Sequence, residues 1–418
     1  MIRQVLLSLA IVVVPHLLLA QSSKPRAREL GVPLDGTPGA LNAITDVPGV
    51  TVGYATLISG EGKREVGKGP VRTGVTAILP RGADTFAPVF AAFAIGNGNG
   101  DMTGTHWIDE SGVLETPILI TNTLSVGVVR DAAVSWMVKK GATGSFWYPV
   151  VAETSDGRLN DQKGQHVKAE DAIRALDAAR GGPVAEGNVG GGTGMLCHGF
   201  KGGTGTSSRL LPANEGGYVV AALVQCNYGL RSELRIAGIT VGREITGHDP
   251  CVTQRVEPPV MFRGAPMATC SAGSGSEAGG GGEESEQGSI IVVIATNAPL
   301  TPDQLRRVVR RVSLGMGRMG TRHGNGSGDI FIAFSTANQG ADAGNSAPST
   351  APVPVTRLPS GGLDPIFMAT VESTEEAIIN AMVAAETMTG ADHIRYFAIP
   401  HDQLKTVLRK HDLLAPRN

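Results

Sequence analysis

The sequence predicts an α/β protein built as a layered sandwich. Two observations carry this. Short β-branched runs alternate with amphipathic helical stretches, and the two kinds mix without the strict βαβ alternation of a doubly wound sheet. The chain has 418 residues, 41% hydrophobic and 18% charged, which is enough for one large domain or two. Its 57 glycines lack a G-x-y period, so they point to tight turns and close backbone approaches rather than collagen. A net charge of −2 and the lack of a basic stripe argue against nucleic acid as a partner.

Along the chain, the first element is a leader. Met1-Ile2-Arg3 is a positive start, Val5 to Ala20 is almost wholly apolar, and Leu18-Leu19-Ala20 suits cleavage before Gln21. Residues 1–20 therefore read as an export signal, with a periplasmic or secreted destination. Pro15 and His16 interrupt a stretch already short of the roughly 20 residues a membrane span needs, although an uncleaved anchor is the alternative. Residues 21–40 are polar and Pro-rich and read as a linker; 41–418 form the domain. Strands are expected at 50–54, 75–79, 89–95, 118–121, 290–295 and 329–334. Helices are expected at 126–138 and 169–180, stopped by Gly181-Gly182. Another opens at Thr301-Pro302-Asp303-Gln304, and a further one is capped by Ser373-Thr374-Glu375-Glu376 and runs through Met388.

Export permits disulfides. Cys226 lies in an apolar run and reads as a buried thiol. Cys251 and Cys270 flank a Pro-rich loop; a bond between them and free thiols are both open. No cysteine spacing matches a zinc site. His106, His198 and His323 stand apart and read as surface or hydrogen-bonded residues, so no metal is expected. The clusters Gly190 to Gly194 and Gly202 to Thr206 fit neither a phosphate loop nor a dinucleotide fingerprint. They read as tight turns lining a small cleft, and no cofactor is expected.

The informative stretch is 271–300, SAGSGSEAGGGGEESEQGSIIVVIATNAPL. A Gly/Ser/Glu tract ends at Gly288 and runs straight into Ser289 and the apolar strand Ile290 to Ala295. A cut at Gly288–Ser289 would leave Ser289 as a new N-terminus on a rigid strand. Its hydroxyl would lie beside its own amine, which titrates near ~7.7–8.0 and can serve as a base. Three local sequences offer the rest of a site. Asn325-Gly326-Ser327-Gly328-Asp329 brings a hydroxyl and an acid that can hold the amine. Asn227, at the end of an apolar strand, can donate to an oxyanion, and so can the Tyr148 hydroxyl in Phe146-Trp147-Tyr148-Pro149-Val150.

Taken together these segments resemble the DmpA-type L-aminopeptidase/D-esterase family, self-processing serine aminopeptidases that include β-peptidyl aminopeptidases. Asn42 to Gly53, Gly96 to Gly104, Glu153 to Asp161, Gly187 to Gly194, Asn227-Tyr228-Gly229, Gly288 to Val293 and Ser327 to Asn338 carry the likeness. It spans about residues 40–400. The resemblance implies a four-layer αββα sandwich, self-cleavage at Gly288–Ser289 into an α chain and a β chain that stay associated, and a homo-oligomer. Carried over, Ser289 is the nucleophile and Ser327 relays or positions the proton. Asp329 takes an acidic position that relatives also fill with Glu, and Asn227 and Tyr148 hold the oxyanion. Substrates are then small peptides, amides or esters cleaved at the N-terminal residue. The tract 271–287 is longer than the family pattern. A self-processing acyltransferase and an exported, non-enzymatic binding protein are the alternatives.

Overall fold

The computed structural model describes residues 24–144, 146–262, 264–270, 287–340 and 352–414. The export signal expected over 1–20 and the tract 271–286 lie outside them.

Four strands, β1 (Thr51–Ser59), β2 (Val71–Leu79), β5 (Ile118–Thr121) and β6 (Val150–Glu153), form one sheet in the order β1-β2-β5-β6. A six-stranded sheet faces it: β3 (Val89–Gly98), β4 (Val113–Leu114), β7 (Gly203–Leu210), β8 (Val219–Asn227), β9 (Gln287–Thr296) and β10 (Gly326–Ser335), in the order β4-β3-β10-β9-β8-β7. Helix α1 (Thr105–Ser111) links β3 to β4. Helices α2 (Val126–Lys139) and α3 (Ala169–Asp177) cover the first sheet. Helices α4 (Pro302–Val309), α5 (Val312–Met319) and α6 (Asp364–Val383) cover the second, and α7 (His401–Lys410) lies near the C-terminus.

Three cores hold the four layers together. Ala77, Leu119 and Val151 pack on Val129, Trp136 and Leu176. Ile78, Ile118 and Ile120 meet Leu223, Ile291, Val293 and Ile332 between the sheets. Ile290, Val292, Ile294 and Phe331 pack on Leu305, Val308, Met316 and Ile379. β9 is thus buried on both faces, which is why 290–295 is an unbroken apolar run instead of an alternating one. Each such side chain contributes about 1.5–3 kcal/mol by leaving water.

Several expectations need correction. The described part of the supposed linker packs onto the domain. The Arg26 guanidinium bonds Thr206 O at 2.6 Å and pairs with Glu186 at 2.8 Å, and the Ala27 amide donates to Asn380 Oδ1 at 2.9 Å. Arg28 pairs with the buried Glu376 at 2.9 Å. Polar composition misled here because arginines reach buried carboxylates. The helix expected from Ser373 begins at Asp364, with Pro365 in its first turn. Ser373 to Glu376 lie inside it, where the Thr374 hydroxyl bonds Thr370 O at 2.8 Å and Glu376 meets Arg209 at 2.8 Å. Cys226 is not a thiol: it is bonded to Cys197, and Cys251 is bonded to Cys270. The glycines 190–194 are buried and do not line the cleft over Ser289. They form a buried turn between the sheets, where a Cβ at Gly191 would lie 2.1 Å from Gln225 Oε1. The enclosed Lys201 ammonium beside this turn donates to Met195 O at 2.8 Å and Gly202 O at 2.9 Å.

Candidate active site

The ends of β8, β9 and β10 meet at one edge of the six-stranded sheet. Ser289 lies opposite Asn227 on β8 and opposite Gly328 on β10. Partnered residues share a face of a sheet, so Ser289 and Asn227 face the inter-sheet side, in line with Ile291 and Val293. Ser289 is 5% exposed and its hydroxyl donates to Gly288 O at 2.6 Å. The nucleophile candidate therefore already rests on the carbonyl of the peptide bond expected to be cut.

Glycine is required on both sides of this hydroxyl. Gly288 has φ +123°, and a Cβ there would lie 2.1 Å from Asn227 O. A Cβ at Gly328 would lie 2.4 Å from Asn99 O and 2.8 Å from Ser289 Oγ. These close approaches are what the Gly-Ser-Ile and Gly-Ser-Gly-Asp segments encode.

Asn227 is held at both ends of its amide. Its Nδ2 donates to Ser155 O at 3.0 Å and its Oδ1 accepts from Leu196 N at 2.8 Å. One Nδ2 proton is used by Ser155, which leaves the second for an oxyanion.

Ser327 and Asp329 flank Gly328 in sequence and take the helix-facing side of β10. The Ser327 hydroxyl donates to Asp329 Oδ1 at 2.5 Å, and both residues are fully buried. Ser327 is the register partner of Gly288. It thus stands beside the backbone at the cut, where the new amine would appear. Asp329 Oδ2 bonds His323 Nδ1 at 2.6 Å, and His323 Nε2 bonds Ser313 Oγ at 3.1 Å.

A cleft of about 1390 Å³ opens over Ser289, lined by Gly288, Asn227, Asn99, Thr123, Glu153 and the 256–262 segment, among others. Tyr148 is not among the residues lining it. It packs against His106, Trp107 and Phe146, with ring centroids 5.0–6.0 Å apart. It lies five residues before Glu153, just beyond the other end of β6, which at about 3.3 Å per residue is up to roughly 16 Å away. The structure does not bring Tyr148 to the other four residues.

The residue that sequence reading missed is Glu153, the buried last residue of β6. Its Oε2 accepts from the Thr123 hydroxyl and its Oε1 from Asp101 N at 3.1 Å. A Cβ placed on Gly100 would lie 3.2 Å from both Glu153 Oε1 and Gly328 Cα, so Glu153 looks across bare glycine toward Ser289. Burial raises its pKa above the ordinary carboxylate value, with the nearby Asp101 charge adding to that, against the lowering effect of its two hydrogen bonds. A carboxylate ending an apolar strand was the available signal.

This arrangement can perform acyl transfer through a serine at a strand start, with an amide donor on one side and a carboxylate across the cleft. The chain is 51% identical over 398 residues to β-peptidyl aminopeptidase BapA of Sphingosinicella microcystinivorans, covering 95% of each chain. It is 46% identical to the BapA of Sphingosinicella xenopeptidilytica, covering 93% of this chain and 92% of that one. Among solved structures it superposes on the L-aminopeptidase D-Ala-esterase/amidase of Ochrobactrum anthropi, described as a prototype of the serine aminopeptidases and a variant of the Ntn hydrolase fold. The TM-score is 0.80 at 45% identity, over 94% of this chain and 100% of that one. A Burkholderia sp. β-aminopeptidase gives 0.79 at 44%, with the same coverage. These relatives favour neither the acyltransferase nor the binding-protein alternative. The profile of Peptidase family S58 matches residues 42–395, and the chain belongs to that family as a self-processing serine aminopeptidase.

Proposed function

We propose that Ser289 is the nucleophile of both self-cleavage and peptide hydrolysis, and that the substrates are short peptides or amides with a free N-terminal amine, β-amino acid residues included. The observation that carries this is the Ser289 hydroxyl, placed on the Gly288 carbonyl at the floor of a cleft that also holds a buried carboxylate. The two BapA relatives, named β-peptidyl aminopeptidases, support the substrate class.

In the precursor, Ser289 Oγ attacks the Gly288 carbonyl carbon. The C–N bond breaks, the nitrogen takes a proton, and water hydrolyses the resulting ester. The freed α-amine then accepts the Oγ proton when a substrate carbonyl is attacked. The second Nδ2 proton of Asn227 meets the oxyanion, a donor whose loss typically costs about 10²–10³ in rate. Ser327 and Asp329 orient the amine from the backbone side. Glu153 receives the substrate ammonium. Among the cleft cations, Arg64 is paired with Asp392 at 3.4 Å and Arg231 with Asp249 at 3.1 Å, and the Lys63 ammonium donates to Glu257 O at 2.8 Å. Lys63, Arg158 and Lys163 leave the cleft with a positive excess that suits a leaving group ending in a carboxylate.

The leader sequence and two disulfides support an exported, periplasmic or secreted enzyme. The family supports a homo-oligomer, which light scattering on the purified protein would measure. The decisive test is an intact mass spectrum of wild type beside Ser289→Ala. The expected wild-type fragment spans 289–418 and is absent from an inactive variant. A Ser289→Ala protein that is uncut yet fully active would refute the scheme.

A further inference from the structure

His323 has no part in the mechanism proposed for Ser289, yet its placement is specific. It has φ +52°, a left-handed conformation uncommon for a residue other than glycine. Gly96 on β3 makes room for it: a Cβ there would lie 2.5 Å from the imidazole Cε1. One ring nitrogen meets Asp329 Oδ2 at 2.6 Å and the other meets Ser313 Oγ on α5 at 3.1 Å. The other oxygen of the same carboxylate takes the Ser327 hydroxyl. The result is one chain of hydrogen bonds running Ser313–His323–Asp329–Ser327 and ending beside the Gly288–Ser289 peptide.

The chemistry gives this chain a purpose. Asp329 is fully buried, and a buried carboxylate is costly unless it is paired. Asp is one methylene shorter than Glu, so its reach to Ser327 depends on what holds its far oxygen. With His323 in place, Oδ2 is tied and Oδ1 is presented to Ser327. Without it, Oδ2 loses its partner and the carboxyl is free to rotate, and Ser327 loses the acceptor that aims it at the Ser289 nitrogen.

We infer that His323 is a positioning residue of this peptidase, acting through Asp329 and Ser327 on the nitrogen of Ser289, in self-cleavage and in turnover alike. The inference rests on the reading of Ser289 as the nucleophile. It makes His323 a part of the machinery that the motif around Ser327 does not contain.

The test uses full-length wild type, His323→Ala, His323→Asn and the double variant His323→Ala/Asp329→Asn beside Asp329→Asn. Asn tolerates the left-handed backbone and carries an amide donor near the place of Nδ1. The readouts are the rate of appearance of the 289–418 fragment, then kcat and KM on β-alanyl p-nitroanilide, and Tm. Expected is slowed cleavage and a fall in kcat on the order of 10–100-fold for His323→Ala, the size typical of losing a side chain that orients a site residue. KM stays near wild type, His323→Asn recovers most of both rates, and His323→Ala adds little once Asp329 is Asn. Wild-type cleavage and kcat in His323→Ala would overturn the inference. So would a His323→Asn as slow as His323→Ala, or full additivity with Asp329→Asn, either of which marks a merely structural role. An uncut, inactive wild type would instead overturn the Ser289 reading, and this inference with it.

Discussion

The two faces of β9 and β10 at the cut are built in opposite ways. On the inter-sheet face Ser289 is bordered by Gly328 and Gly100, and space is left open toward Glu153. On the helix face the same few residues carry a filled polar chain, Ser327, Asp329 and His323, with every link at 3.1 Å or less. One face is emptied so that a substrate can enter. The other is packed with hydrogen-bonded side chains against the backbone at the cut. An N-terminal nucleophile needs both, because its base is part of its own main chain.

The sharpest way to break the contrast is to put matter on the empty face. Gly328→Ala sets a methyl 2.8 Å from Ser289 Oγ and 2.4 Å from Asn99 O. Activity is expected to fall about 100-fold or more, the usual cost of displacing a reacting atom by about 1 Å. Near-normal turnover in this variant would show that the bare strand is not required.

A smaller effect isolates Glu153. Glu153→Gln keeps the shape and removes the charge, so KM should rise on the order of 10–100-fold while kcat changes little. An unchanged KM would place the amine partner elsewhere. The pH dependence has a definite sign. Burial holds the Glu153 carboxyl above its ordinary range, and the group is charged only above its pKa. Wild-type KM is therefore expected to climb as pH falls through that raised pKa, and the Gln variant should lose this climb.

The smallest effect concerns the cationic part of the cleft. Arg158→Gln with Lys163→Gln should weaken kcat/KM for a dipeptide acid by roughly threefold, a loss that shrinks in high salt. The matching C-terminal amide should be unaffected. Equal losses for acid and amide would remove the proposed carboxylate contact.

The contrast also shows what the sequence could reveal. β9 was legible because burial on both faces leaves an unbroken apolar run. Ser289, Ser327, Asp329 and Asn227 were legible because small residues crowd around them where backbones approach closely. Glu153 and His323 were not, because neither has a local pattern. Glu153 gains its meaning from glycines far away in the chain, and His323 from a carboxylate across a turn and from Gly96 on another strand. Tyr148 shows the converse: a phenol reads locally as an oxyanion donor, while the structure sets it in an aromatic cluster before β6, apart from the other four residues. Residues 21–40 read as a linker until the buried partners of Arg26 and Arg28, Glu186 and Glu376, are seen.

The strand order β4-β3-β10-β9-β8-β7 sets where the two products of the cut lie in the sheet. From Ser289 on, β9 belongs with β10 to the new second polypeptide, at the centre of the sheet between β3 and β8 of the first. Both disulfides lie within residues 197–270 and so tie the first polypeptide to itself. The two products are interleaved but not covalently joined. They should run apart on a denaturing gel even without reductant, and travel as one body through any native separation. Parting them means pulling the middle out of a sheet, so the cut is expected to change the chain's connectivity without loosening its architecture.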